Sequence, residues 1–183
     1  MLKTIPVHLP LTGKQILQLR AGDFLTLSGS VYTMRDAAHE QIDNMLNKNQ
    51  SLPFHLQNAA VYYVGPTPSP DERFVFGAAG PTTSGRMDRY TPRLLEKGLK
   101  IMIGKGKRSP EVVKAIEQNK ALYLATIGGA GSYLASKILS SKMIAFEDLG
   151  PEAIRLIEVK DFPCVVINDA YGNDFYRGTF LVK

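Results

Sequence analysis

The chain has 183 residues, 44% of them hydrophobic, enough for one ordinary buried core and within the usual size of a single domain. No apolar run approaches the roughly 18 residues that a membrane span needs, and the opening "MLKTIPVHLPLTG" lacks the apolar stretch of a signal peptide, so a cytoplasmic protein with no membrane partner is expected. The formal charge of +5 favours anions without naming a partner, and no helix-turn-helix, zinc-finger or aromatic–basic strand pattern points to nucleic acid.

In chain order, residues 23–34, "DFLTLSGSVYTM", alternate as a strand that passes through glycine. Residues 35–50 place Ala38, Ile42, Met45 and Leu46 at helical spacing, with Asp36 as the expected cap. "AVYYVG" (60–65) is a short strand, closed by "PTPSPDE", whose prolines forbid either a ladder or a helix interior. "FVF" (74–76) reads as a short apolar strand that runs into the glycines of the next loop. "TPRLLEKG" (91–98) predicts a short helix with Thr91 as cap, Pro92 at its first position and Gly98 after its end. "LKIMIG" (99–104) predicts a strand, "SPEVVKAIEQNK" (109–120) a helix capped by Ser109, and "ALYLATI" (121–127) a strand. "GGAGSYLASKIL" (128–139) turns through glycines into a further helix. "AIRLIEV" (153–159) and "FPCVVIN" (162–168) predict two strands separated by a turn at Lys160 and Asp161. Alternating strands and helices predict a mixed α/β fold, and with no linker or repeat the expected organisation is one domain over residues 1–183.

Three strand-to-helix junctions carry ligand chemistry. The first, residues 77–88, combines Gly77, Gly80 and Gly85 with the hydroxyls of Thr82, Thr83 and Ser84, and Arg86 offers a fork suited to a carboxylate. The second, "GKGKRSP", places Lys105 and Lys107 before a helix N-terminus, which itself favours anions. It belongs to a basic run of Lys97, Lys100, Lys105, Lys107 and Arg108. The third is "IGGAGS" (127–132). None has the spacing of a nucleotide-binding fingerprint. Each junction is either a tight turn with solvated charges or an anion site, and their shared theme is a compact polyanion such as a dicarboxylate or phosphate. The single cysteine, Cys164, lies in an apolar strand pattern, and His8, His39 and His55 are scattered, so the sequence predicts no metal site of its own. No nucleophile–base arrangement stands out either, which suggests half of an active site.

"GPTTSGRMD", with "RDAAH" upstream and "GKG" and "GNDFY" downstream, resembles the β subunit of the iron–sulfur-dependent class I hydro-lyases. These are the class I fumarases and the L(+)-tartrate dehydratases, whose single-chain forms carry this part as a C-terminal domain. The likeness covers roughly residues 5–180. It implies a swivelling β/β/α domain docked on an α subunit that holds a 4Fe–4S cluster on three cysteines, with a homodimer of such heterodimers as the assembly. The implied reaction is reversible hydration of fumarate to malate, or dehydration of a related hydroxy-dicarboxylate.

By the same resemblance, Thr82 corresponds to the threonine cast as base, helped by a partner carboxylate because a threonine hydroxyl is a poor base alone. Arg35, Arg86 and Lys105 correspond to the residues that bind the substrate's carboxylates. Asp36 and His39 cap or brace the Arg35 turn, Asp88 orients Arg86, and Thr83 and Ser84 support the loop. The competing expectation is a non-catalytic anion-binding or interaction module that keeps the basic loops. A nucleotide-dependent enzyme is a weaker alternative.

Overall fold

Strands whose alternate residues are apolar on both faces form a sheet covered on both sides, and this is the pattern along the middle of the chain. In the computed structural model, which describes residues 4–71 and 73–178, all four residues of β4 (Ile101–Gly104) and of β5 (Leu122–Ala125) are buried, as are the three of β3 (Ala60–Tyr62). Tyr62, Ile101, Ile103, Leu122 and Leu124 enter one core cluster. Val61, Tyr63, Met102 and Tyr123 enter a second.

The sheet has seven strands. β1 (Thr4–His8) lies parallel to β2 (Phe24–Thr33), and β2, β3, β4 and β5 follow one another in parallel. β7 (Ile154–Asn168) runs antiparallel to both β5 and β2, so the pairings β2–β3–β4–β5–β7 return to β2 and close a mixed barrel. β6 (Ile138–Ala145) pairs outside this ring, antiparallel to β7. The first core cluster joins β1, β2 and β7 through Val7, Leu25, Leu27, Phe162 and Val166. The second packs the other face against α2 (Asp36–Asn47), α3 (Thr91–Glu96) and α4 (Pro110–Gln118), through Ala38, Ile42, Leu94, Leu95, Val112 and Ile116. The class is α/β, as the alternating pattern predicts.

Local signals account for most helix boundaries. Ser109 caps α4 by accepting from the Val112 amide at 3.3 Å, with Pro110 at the first helical position. The short α1 (Gly13–Ile16) begins with a capping box in which Thr12 and Gln15 satisfy each other's backbone amides.

Other expectations are corrected. Asp36 is not a cap: the N-cap of α2 is Arg35, and the open amide of Ala37 is satisfied by Glu152 Oε2 at 2.9 Å. Thr91 is the first helical residue of α3 behind Tyr90, and its hydroxyl donates to the Met87 carbonyl at 2.9 Å. Residues 74–80 form no strand, because the proline-rich run before them and the glycines within them hold an irregular path. The helix expected over 128–139 is only α5 (Gly131–Ala135), after which the chain extends into β6. The two late strands are one, β7, which passes through Asp161 at φ 50° without turning back. Among the described residues no helix is long and apolar enough to cross a membrane.

Candidate active site

Four parallel strands end on the same side, and the loops leaving their carboxyl ends carry the residues singled out in the sequence, where open α/β sheets present ligand sites. Arg35 follows β2, the 77–88 loop follows β3, Lys105 follows β4 and the 127–132 glycines follow β5. Backbone bonds tie these loops together. The Thr82 amide donates to the Tyr63 carbonyl at 2.7 Å, the Ser84 amide to the Lys105 carbonyl at 2.9 Å, and the Lys105 amide to the Thr82 carbonyl at 3.3 Å. Thr83 and Lys105 thereby form a parallel bridge. The Ala79 amide donates to the Gly131 carbonyl at 2.9 Å, which brings in the third junction.

Two glycines make these approaches possible. A Cβ on Gly104 would lie 2.0 Å from Ser84 Oγ, so only glycine lets the 77–88 loop lie on the end of β4. A Cβ on Gly65 would lie 2.8 Å from Arg35 Nη1, so Gly65 makes the room that Arg35 occupies.

Charges are arranged in an exposed tier and a buried one. In the exposed tier Asp36 bridges two arginines: Oδ1 accepts from Arg86 Nε at 2.7 Å and Oδ2 from Arg35 Nε at 3.3 Å. Partial burial opposes ionisation of Asp36. Its own backbone amide and the two guanidinium groups outweigh that and hold its carboxyl below the ordinary range. Arg35 Nη2 also pairs with Glu152 Oε1 at 3.3 Å. The Arg86 side chain is 53% exposed, and its Nη groups make no hydrogen bond among the described residues. Lys105 is exposed, as is Thr83, while Thr82 is half-buried with its hydroxyl unpaired among the described residues.

The buried tier lies beneath. His39 is fully buried, its Nδ1 2.9 Å from the Arg35 carbonyl and its ring edge-on to Tyr63. Burial, opposed by the Arg35 carbonyl and reinforced by the charge of Arg108, pushes its pKa down to about 4, so it braces the Arg35 turn as a neutral ring. Asp88 does not orient Arg86, which is a correction: its carboxylate accepts from Arg108 Nε at 2.6 Å and from the Ser109 amide at 2.7 Å. Arg108 is wholly buried and donates also to Thr91 Oγ1 at 2.6 Å. Ser84 is buried, with Oγ 2.9 Å from the Tyr123 hydroxyl, and that hydroxyl is 2.8 Å from the Gly106 carbonyl.

Sequence reasoning missed three residues of this arrangement. Glu152 reaches Ala37 and Arg35 from more than a hundred positions away, which no local pattern signals. Tyr123 reads as core, although a phenol at a strand end between glycine loops is a usable hint. Arg108 reads as part of a basic run that does not exist as a patch: it is buried, and Lys100 donates to the Asn119 carbonyl.

The residues present do not fit a metal cluster. Among the described residues no three metal-ligating side chains gather, and Cys164 is buried with its thiol pushed far above its ordinary pKa by that burial.

Residues 2–179 match the family model described as the fumarase C-terminus. The aerobic class I fumarate hydratase of Escherichia coli strain K12 is 38% identical over 171 residues, which is 92% of this chain and 31% of that protein. Fumarate hydratase 2 of Leishmania major is 38% identical over 168 residues, 91% of this chain and 29% of that protein. The chain thus spans about a third of the length of these relatives. A Methanocaldococcus jannaschii protein assigned as L(+)-tartrate dehydratase subunit beta is 36% identical over 172 residues, covering 91% of this chain and 88% of the relative.

Proposed function

The chain belongs to the fumarase C-terminus family, and from that premise we propose that it is a single domain over residues 1–183 acting as the β subunit of a cytoplasmic two-subunit hydro-lyase. The reaction is reversible hydration of fumarate to malate, or dehydration of a hydroxy-dicarboxylate such as L(+)-tartrate. The near-complete coverage of a beta-subunit relative supports the two-subunit form. The 4Fe–4S cluster of that enzyme is held by the α subunit, in keeping with the single buried cysteine here.

The observation that carries this reading is the Asp36 bridge, which fixes Arg35 and Arg86 side by side next to the Thr82 loop. A four-carbon dianion has two carboxylates and little apolar area to bury, so charge-assisted hydrogen bonds must provide most of its recognition. Arg86, with free Nη donors, and Arg35 take one end of the substrate, and Lys105 takes the far carboxylate. Asp36 keeps both forks pre-oriented, so that little is lost in ordering them on binding. The Thr82 hydroxyl holds or moves the proton at the carbon next to the departing hydroxyl. As a weak base it requires a carboxylate from the α subunit beside it.

The test is co-expression with the α subunit, anaerobic cluster reconstitution, and assay against fumarate, malate and L(+)-tartrate. Turnover of at least one acid is expected, and none with the isolated chain. A complex with an intact cluster that converts none of them would overturn the reading.

A further inference from the structure

A cavity of about 320 Å³ lies beside the turn that supplies Glu152, walled by Pro66, Pro68, Pro151, Val75 and Phe76, with Thr67, Gly150 and Arg155. Proline has no N–H, so three of these eight residues offer apolar ring and carbonyl oxygen but no backbone donor. The Thr67 amide is already spent on the Ala78 carbonyl, and its Oγ1 accepts from the Ala78 amide at 2.8 Å, which leaves only its hydroxyl proton to give.

Arg155 is the one charged residue of this lining, and its guanidinium has no hydrogen bond or ion pair among the described residues. In the sheet it faces Thr33 on β2 and Met143 on β6, neither of which carries a charge. No acid among the described residues forms an ion pair with it, and its Nε is buried without a hydrogen-bond partner. Arg108, the buried arginine of the described residues, has its carboxylate in Asp88. A guanidinium without a carboxylate, at the wall of a largely apolar cavity, is suited to receive an anion.

We propose that this cavity binds a small monocarboxylate with an apolar body, its carboxylate on Arg155 and its body against the proline rings and Phe76. The dicarboxylate assigned to Arg35 and Arg86 does not suit it. A second carboxylate would find no second cation among the eight lining residues to receive it.

The probe is sodium benzoate, titrated into the full chain and followed by calorimetry and by the NMR signals of the Arg155 guanidinium. Saturable binding that moves these signals is expected. Losing a charge-assisted bond through Arg155→Gln should weaken it about tenfold or more. Phe76→Ala should weaken it severalfold, and Arg155→Lys, which keeps the charge but loses the fork, should still bind saturably but more weakly than the unaltered chain; these two decide the matter if Arg155→Gln does not fold. Inorganic phosphate, an anion without the body, and benzamide, a body without the charge, should not move the Arg155 signals saturably. Arg86→Ala should leave benzoate affinity unchanged. No saturable binding, equal affinity in the Arg155 and Phe76 variants, or loss of binding in Arg86→Ala in their place would each overturn the proposal.

Discussion

Arg86 and Arg108 flank the same strand end and have opposite surroundings. Arg108 is wholly buried and fully engaged: Asp88 and Thr91 each lie 2.6 Å away, and its guanidinium is 5.4 and 4.9 Å from the ring centres of Tyr63 and Tyr123. The Arg86 side chain is half-exposed and makes one bond among the described residues, from Nε to Asp36, with no partner there for its Nη donors. Arg108 joins the starts of α3 and α4 to the floor of the loop, and its donors are used in doing so. Arg86 is anchored at a single nitrogen with the rest of its fork open. The contrast separates a cation that builds the site from one that the site presents.

The largest expected effect breaks this pair apart. Arg108→Ala strands the Asp88 carboxylate and should cost about 3–5 kcal/mol in urea unfolding of the chain. Arg86→Ala removes a solvent-exposed ion pair and should cost about 1 kcal/mol or less. In the reconstituted complex, Arg86→Ala should instead lower turnover about 10²–10³-fold, the usual loss for one preorganised donor to substrate charge. Similar destabilisation by both variants, or full turnover without Arg86, would erase the distinction.

The same contrast explains what the sequence made legible. Elements set by local rules were readable: β2 from alternation, α2 from its helical spacing, α4 from Ser109 and Pro110, and the 77–88 loop from its glycines and hydroxyls. Features set by distant partners were not. Glu152 caps α2 in place of Asp36, and Asp88 turns to Arg108 rather than Arg86, because tertiary geometry decides which of several local options is satisfied. β6 was hidden because its residues alternate weakly, lying half-exposed on the outside of the barrel. β1 is short and mostly exposed, so its pattern is too faint to read. The exposed tier, Glu152 apart, was thus largely visible in the sequence, as were His39 and Ser84 beneath it, whereas the Asp88–Arg108 pair and Tyr123 of the buried tier were not.

His39 tests the boundary between the tiers through pH. Its folded pKa of about 4 lies below the ordinary 6.5, so between those values the unfolded chain binds a proton that the folded chain does not. Stability therefore rises with pH across that window, and about 3 kcal/mol should be lost on going from pH 7 to pH 4. His39→Gln should flatten this slope. Asp36 acts elsewhere: its depressed pKa adds stability that is lost only below its ordinary 3.8, so the two contributions separate in a pH series of unfolding curves. An unchanged slope in His39→Gln would mean that the buried imidazole is not the group titrating.

Gly104→Ala acts on the contact between the tiers. Its Cβ would meet Ser84 Oγ at 2.0 Å, and the loop must move to avoid it. The cost should be about 1–3 kcal/mol, as for other overpacked sites, with turnover falling as Thr82 shifts. Ser84→Ala in the same chain should recover part of both losses. A simple strand propensity effect would show no such recovery.

The smallest expected effect is the most specific to the loop. The Tyr123 hydroxyl has one proton and two neighbours, Ser84 Oγ at 2.9 Å and the Gly106 carbonyl at 2.8 Å. A carbonyl can only accept, so Tyr123 donates to Gly106 and accepts from Ser84, joining the 77–88 loop to the Lys105 loop through one phenol. Tyr123→Phe leaves a buried hydroxyl and a carbonyl unmatched and should cost about 1–2 kcal/mol. Ser84→Ala alone should cost a similar amount, and the double variant less than the sum, since both remove the same bond. If the two costs add, the phenol and the serine act independently, and the two loops are held together by their backbone bonds alone.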